Sequence, residues 1–250
     1  MLLQDKIAVI AGDAFGVGQA AAALFIREGA RVFCIDDKAG AQSAQTLRIG
    51  EVDVPYCHAD VTRTEHVERA VRACETVYPK VDILFNVAGR TIKQSFEETT
   101  EETWSVMLGR NLNAAFFCSQ RFLPLMKRAG AGAIINHASI DAFLGNPSLA
   151  AYSAAKGGVL PLTHVMAHDL AKYRIRVNAI STGGIRAYAS AASARDEARI
   201  AVTPAQRLGT AVDVANVALF LASDLSAYVN GANIVVDGGR TATTQGCYFD

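Results

Sequence analysis

Residues Lys6–Gly18 read KIAVIAGDAFGVG. The first seven, Lys6–Gly12, are apolar and β-branched enough for a short strand buried on both faces. Gly12, Gly16 and Gly18 follow at once, and Phe15–Glu28 carries Ala20, Ala23 and Leu24 on one helical face. Strand, glycine turn and helix in that order open a βαβ unit. Glycine lets the backbone turn tightly and come close to a pyrophosphate, and the helix amino end offers N–H groups to the anion. The turn, with Gly12, Phe15, Gly16, Val17 and Gly18, is therefore the candidate dinucleotide cradle. Three glycines alone are a weak signal, and it is the strand-turn-helix setting that gives them weight. The spacing is not GxxxxGK[ST], which disfavours a nucleoside triphosphatase.

The alternation continues outward from this unit. Strands are expected at Ala30–Asp36, Val54–Asp60, Val81–Val87, Ala133–Ser139, Ile175–Ser181 and Asn233–Val236. Helices are expected at Ala39–Ile49, Glu65–Val77, Glu101–Lys127, Ala151–Tyr173 and Asp213–Ser223. Apolar strands each followed by a helix predict a doubly wound α/β fold, a Rossmann-type parallel sheet in the order 3-2-1-4-5-6-7. A chain of 250 residues with no repeat or linker fits one domain, 1–250, that both binds and reacts. Residues 183–208 lack a clear strand signal and are rich in Ala and Ser. Following a strand at its carboxyl end, they are expected to form a substrate lid.

Formal net charge is zero, so no electrostatic footprint for nucleic acid or an anionic membrane appears. A small molecule is the expected partner. The five cysteines form no CxxC pair and read as free thiols of a reducing compartment. With no signal segment and no long apolar run, the expected location is cytoplasmic. His164 and His168 in HVMAH lack the acid of HExxH, and no other grouping demands a metal.

Asp36 ends the second strand, 18 residues beyond Gly18. An acid there accepts hydrogen bonds from ribose hydroxyls and repels a 2′-phosphate. Asp37 adds to that and Lys38 opposes it, so the expected cofactor is NAD rather than NADP. Tyr152 and Lys156 are four apart in a helix and share one face. Ser139 ends the preceding strand, and the loop 140–150 can carry its hydroxyl beside Tyr152. A phenol with pKa near 10 is a poor base at neutral pH. A nearby ammonium and an oxidised nicotinamide both favour the phenolate, and a shift of about three units requires roughly 4 kcal/mol. Asp141, two residues past Ser139, either reaches bound substrate or caps its loop. His137 would point to the same sheet face as Ser139.

At this point the chain resembles the short-chain dehydrogenase/reductase family over nearly its whole length. The matching pieces are AGDAFGVG, Asp60-Val61, NVAG at Asn86–Gly89, Asn111, Ser139, YSAAK at Tyr152–Lys156, RVNAIS at Arg176–Ser181, and YVNGANIVVDGG. The resemblance implies an adenine contact by Asp60 and Val61 and a cofactor groove lined by Asn86, Ala88 and Gly89. It also implies a proton path in which Asn111 holds a water linked to Lys156. Backbone at Gly183 and Ile185 would meet the nicotinamide end. Three positions depart from the family: Ala11 for Thr, Thr182 for Pro before Gly183, and Ala187 for Thr.

The function implied is hydride transfer between NAD(H) and a secondary alcohol or ketone, catalysed by Ser139, Tyr152, Lys156 and Asn111. A homodimer or homotetramer is implied too, with the two longest helices at one interface. The alternatives are a non-catalytic dinucleotide-binding regulator and, with no support from the tyrosine–lysine helix, a methyltransferase.

Overall fold

The computed structural model describes residues 1–12, 16–37, 45–186 and 193–242. The expected doubly wound sheet is present. Its strands are β1 (Ile7–Ala11), β2 (Arg31–Asp36), β3 (Thr46–Ile49), β4 (Val52–His58), β5 (Ile83–Asn86), β6 (Gly132–Ser139), β7 (Ile175–Thr182), β8 (Ile185–Arg186), β9 (Gly209–Thr210) and β10 (Asn233–Val236). Eight of them form one sheet in the order β10-β7-β6-β5-β1-β2-β4-β3. All its pairs are parallel except β3 with β4. With β3 set aside, this is the order read from the sequence.

The helices are α1 (Val17–Arg27), α2 (Thr64–Val77), α3 (Glu101–Leu108), α4 (Ala114–Ala129), α5 (Ala150–Leu170), α6 (Ala194–Ala201) and α7 (Ala211–Ala222). Every residue of β1 is buried, because helices cover both sheet faces. One apolar cluster packs Ala21, Phe25, Ala218 and Leu221 of α1 and α7 against Ile10 and Ile135. The other packs Val67, Phe122 and Ala167 of α2, α4 and α5 against Val9 and Ile134.

Two expectations need correcting. The helix expected over Ala39–Ile49 is, at Thr46–Ile49, a strand antiparallel to β4; residues 38–44 lie outside the described part. Ile49 pairs with Val52 across Gly50 and Glu51, and Gly50 has φ +60°. A two-residue loop with glycine at positive φ makes a hairpin, and Ile49 is buried by it. The helix expected over Glu101–Lys127 is interrupted by one π-helical turn, Gly109–Asn113.

Candidate active site

The carboxyl edge of the sheet is shaped first by Gly12. Its φ is +89°, and a Cβ there would stand 2.4 Å from the Ala88 Cα. Only glycine lets the end of β1 lie against Asn86–Gly89, where Val87 and Ala88 both donate N–H to the Ala11 carbonyl. Gly16 caps α1 without a side chain, and the first turn of α1 holds no acid; Val17 and Gly18 there are buried. By contrast, α6 and α7 each close their amino ends with their own aspartate, Asp196 and Asp213. With no acid in its first turn, the amino end of α1 suits a pyrophosphate better than those of α6 and α7. Phe15 lies outside the described residues.

Asp36 is half-buried at the end of β2 and accepts the Asp37 N–H on Oδ1 at 2.8 Å. Asp37 pairs with Arg110 from the π-turn. Burial works against a charged Asp37, but the hydrogen bond and charge of Arg110 outweigh it and hold the carboxyl below its ordinary range. One oxygen of Asp60 is taken by the Thr62 N–H and hydroxyl, at 2.9 and 2.7 Å, and Val61 is buried. The Asn86 side chain turns into the sheet, where its Nδ2 donates to Ser119 Oγ and Asn136 Oδ1, each at 2.9 Å. Ala88, rather than the Asn86 side chain, lies against Gly12.

Lys156 and Asn111 meet beside Gly89, and Ser139, two residues beyond the His137 carbonyl that holds Lys156, meets Tyr152. Lys156 is 1% exposed and donates from Nζ to the His137 carbonyl at 2.6 Å. A Cβ at Gly89 would lie 3.4 Å from that Nζ and 3.1 Å from Asn111 Oδ1, so glycine keeps room for both. Burial lowers the Lys156 ammonium to about 7. Asn111 sits in the π-turn, one turn after Met107. Its Nδ2 donates to the Met107 carbonyl at 3.0 Å and to the Arg90 carbonyl at 2.9 Å, while its Oδ1 accepts the Arg90 N–H. The π-turn thus ties the chain just after NVAG to the helix, a role such insertions often take at functional sites.

The Tyr152 hydroxyl is hydrogen-bonded to Ser139 and Thr91. Burial pushes its phenol above the ordinary value; these bonds and Arg199 pull it down, and Asp141 pushes it up. Ser139 donates to Asp141 Oδ2 at 3.1 Å and accepts the Asp141 N–H at 3.1 Å. Asp141 is therefore both loop cap and neighbour of the reacting group. Thr182 pairs in register with Ser139, and its Oγ1 lies 3.1 Å from His137 Nε2. Burial, and then the Lys156 charge, lower the His137 imidazole to about 3, so it is neutral at physiological pH.

Beyond Ser139 opens a cavity of about 470 Å³, bounded by Asp141, Ser148, Gly183, Gly184, Arg199 and Arg240 among others. Gly183 hydrogen-bonds to Val236, while Ile185 is half-buried in a two-residue strand pairing with Gly209. A larger hollow of about 590 Å³ lies at the opposite edge, near Lys6, Asp82 and Ile175 at the strands' amino ends. Ligands of open α/β sheets bind at the carboxyl ends, where the smaller cavity lies against Ile140 and Asp141.

Three residues enter the site that the sequence alone does not reveal. Arg110, in the π-turn, pairs with Asp37. Thr91, and the charge of Arg199 from the expected lid, come to bear on Tyr152 through chain closure. The other sequence signals are quiet. Cys34, Cys74 and Cys118 are buried thiols pushed up to about 12, and His164 and His168 are exposed. No helix among the described residues is long and apolar enough to cross a membrane.

A family model described as enoyl-(acyl carrier protein) reductase matches residues 11–241. An NAD-dependent glycerol dehydrogenase of Listeria innocua is 35% identical, over 96% of this chain and 95% of its own. An NADP-dependent (R)-specific alcohol dehydrogenase of Lentilactobacillus kefiri is 34% identical, over 96% and 98%. A gluconate 5-dehydrogenase of Burkholderia cenocepacia, solved in complex with NADP and tartrate, superposes with a TM-score of 0.87 at 29% identity, covering 97% of each chain. Sheet order, glycine turn and serine–tyrosine–lysine corner agree with these likenesses: the chain belongs to the short-chain dehydrogenase/reductase family, whose members are oxidoreductases.

Proposed function

We propose that this chain interconverts a secondary alcohol and its ketone, exchanging the hydride with NAD(H). The observation that carries the reading is that buried Lys156 meets Asn111 beside Gly89 while Tyr152, one turn before Lys156, meets Ser139 at the carboxyl end of β6. Bound NAD would supply the hydride acceptor and, when oxidised, a fixed positive charge. Gly12, Gly16, Val17 and Gly18 would hold its pyrophosphate at the α1 amino end, Asp36 its adenosine ribose, Asp60 and Val61 its adenine. Ala88, Gly89, Gly183 and Ile185 would flank its nicotinamide half.

In the oxidative direction Tyr152 takes the alcohol proton as the carbinol hydrogen leaves with its electron pair. Ser139 holds the substrate oxygen. Its one proton now goes to Asp141 Oδ2, so the hydroxyl must rotate toward substrate while the Asp141 N–H keeps hold of Oγ. Lys156, held by the His137 carbonyl, stabilises the phenolate once charged. Asn111 fixes the Arg90 backbone beside it and completes the path by which the proton leaves.

NAD is favoured because two acids stand at the end of β2 and the nearby Arg110 is engaged by one of them. The relatives include users of each cofactor, so the choice rests on these residues. Exposed Trp104, Phe116 and Val165 on α3, α4 and α5 support association into a homodimer or homotetramer. The deciding assay is NADH formation over a panel of secondary alcohols. Turnover that disappears in Tyr152→Phe supports the reading. Tight NADH binding with no turnover of any alcohol or ketone would point to the non-catalytic regulator instead.

A further inference from the structure

The cavity beside Ser139 has a charge balance that the proposed reaction does not need. Small-molecule pockets are mostly apolar with a few placed polar groups. Among the described residues, this one is bordered by three cations, Lys93, Arg199 and Arg240, and by one acid, Asp141. Arg199 is built into the wall: a Cβ at Gly184 would lie 3.7 Å from Arg199 Cδ, so its stem crosses that glycine. Its charge reaches the reacting group, since it and Asp141 act on the Tyr152 phenol with opposite sign. The acid, moreover, is already occupied, by Ser139 through one oxygen and Asn146 through the other.

From this geometry we infer that the substrate is anionic: a short hydroxy or oxo compound carrying a carboxylate or phosphate, with Arg199 as its anchor and Lys93 and Arg240 adding to the field. The inference rests on the alcohol–ketone reading and deepens it. Guanidinium suits the role because its planar fork meets carboxylate and phosphate oxygens two at a time. Arg199 and Arg240 each keep contacts within the protein. What favours an anion is the balance of charge among the described residues around the cavity.

The test compares 3-hydroxybutyrate, its methyl ester and 3-hydroxybutyl phosphate as substrates with NAD. One of the two anions should exceed the ester in kcat/KM by about 10-fold or more, as a charge-assisted contact requires. Whichever anion leads names the head group. In Arg199→Leu the ratio of anion to ester should collapse, mainly through KM, and Arg199→Lys should restore part of it. An ester used as well as both anions would overturn the inference and leave the oxidoreductase reading standing. If the wild type turns over none of the three, calorimetry with glutarate and its dimethyl ester decides separately. Saturable glutarate binding that Arg199→Leu removes supports an anion site; equal or absent binding of the two rejects it.

Discussion

At the corner of β6 and α5, Ser139 and Lys156 are buried on elements of eight and 21 residues that pack on the central sheet. Across the cavity stands α6, eight residues long, none of them buried among those described. It is held by its Ser193–Asp196 capping box and by Arg186, 3.5 Å from Asp196. The first region fixes atoms through burial and main-chain hydrogen bonds, the second through polar contacts open to solvent. Proton transfer needs positions held within tenths of an ångström, whereas admitting a substrate needs a wall that can yield. On the proposed function, the difference gives chemistry to the β6–α5 corner and selection to the segment after β7.

The strongest way to break that assignment is Tyr152→Phe. One hydroxyl is lost and the aromatic ring stays, so the fold and NADH binding should persist. Turnover should fall by at least ~100-fold, the lower range for a positioned acid–base group. Near-normal turnover in this variant would remove the chemistry from the corner altogether.

Lys156→Met separates the corner's chemical and structural roles. Activity should fall, by about 10-fold or more if the ammonium stabilises the phenolate. Stability should move the other way. Burial lowers the folded pKa from 10.5 to about 7, so between those values the unfolded chain holds a proton that the folded chain has released. Stability therefore rises with pH across that window, and the cost of the charged lysine is fully present below about 7. At pH 7 the methionine variant should melt higher than wild type, with the gap closing toward pH 10. A constant gap in melting temperature across this range would show that Lys156 does not titrate as its burial requires.

Asp36→Ala probes the cofactor half, which uses strand-end side chains as the corner does. Losing a charge-assisted hydrogen bond to a ribose hydroxyl should cost about 10-fold in kcat/KM for NAD, with NADP gaining relative to it. An unchanged NAD-to-NADP ratio would shift the discrimination to the Asp37–Arg110 pair.

The same contrast explains what the sequence discloses. The strands of the sheet and their order are legible because runs such as Ile7–Ala11 are apolar throughout, and only a sheet covered on both faces buries such runs. Ser139, Tyr152 and Lys156 are legible because a strand end and an i,i+4 pair fix their relation locally. Thr46–Ile49 is not: four residues carry too little periodicity, and the glycine of its hairpin gains meaning only once β4 lies alongside. The π-turn is hidden because one extra residue in a helical ladder barely disturbs an amphipathic pattern. Arg110 and the Asn111–Arg90 contacts are hidden with it. Arg199 stays illegible for another reason, since only the closure of an irregular segment over Gly184 brings it near Tyr152.

The smallest expected effect concerns motion. We propose that the wall after β7, the expected lid 183–208, closes over bound substrate, with the described part, Ser193–Leu208, as its reporter; residues 187–192 lie outside the described structure. Few of its residues are buried: Thr203 and Leu208 are, while α6 offers Ile200 only in part. Segments with so little apolar burial open at low free-energy cost. The hydrogen bonds that hold Asp196 keep its carboxyl below the ordinary range, so this anchor is secure at neutral pH and is lost only as pH falls through that lowered value. Closure would exclude water from around Tyr152 and carry Arg199 with it. Amide exchange should therefore be fast across Ser193–Leu208 in the free protein and slow across Ala150–Leu170. NADH with an alcohol from the assay panel forms a complex that cannot react, since both partners are reduced. In that complex exchange at α6 should slow by about 10-fold, or ~1.4 kcal/mol, while α5 changes little. Equal protection of α6 with and without ligand would make the wall fixed structure, and selection would then have to come from the shape and charge of a permanently formed cavity.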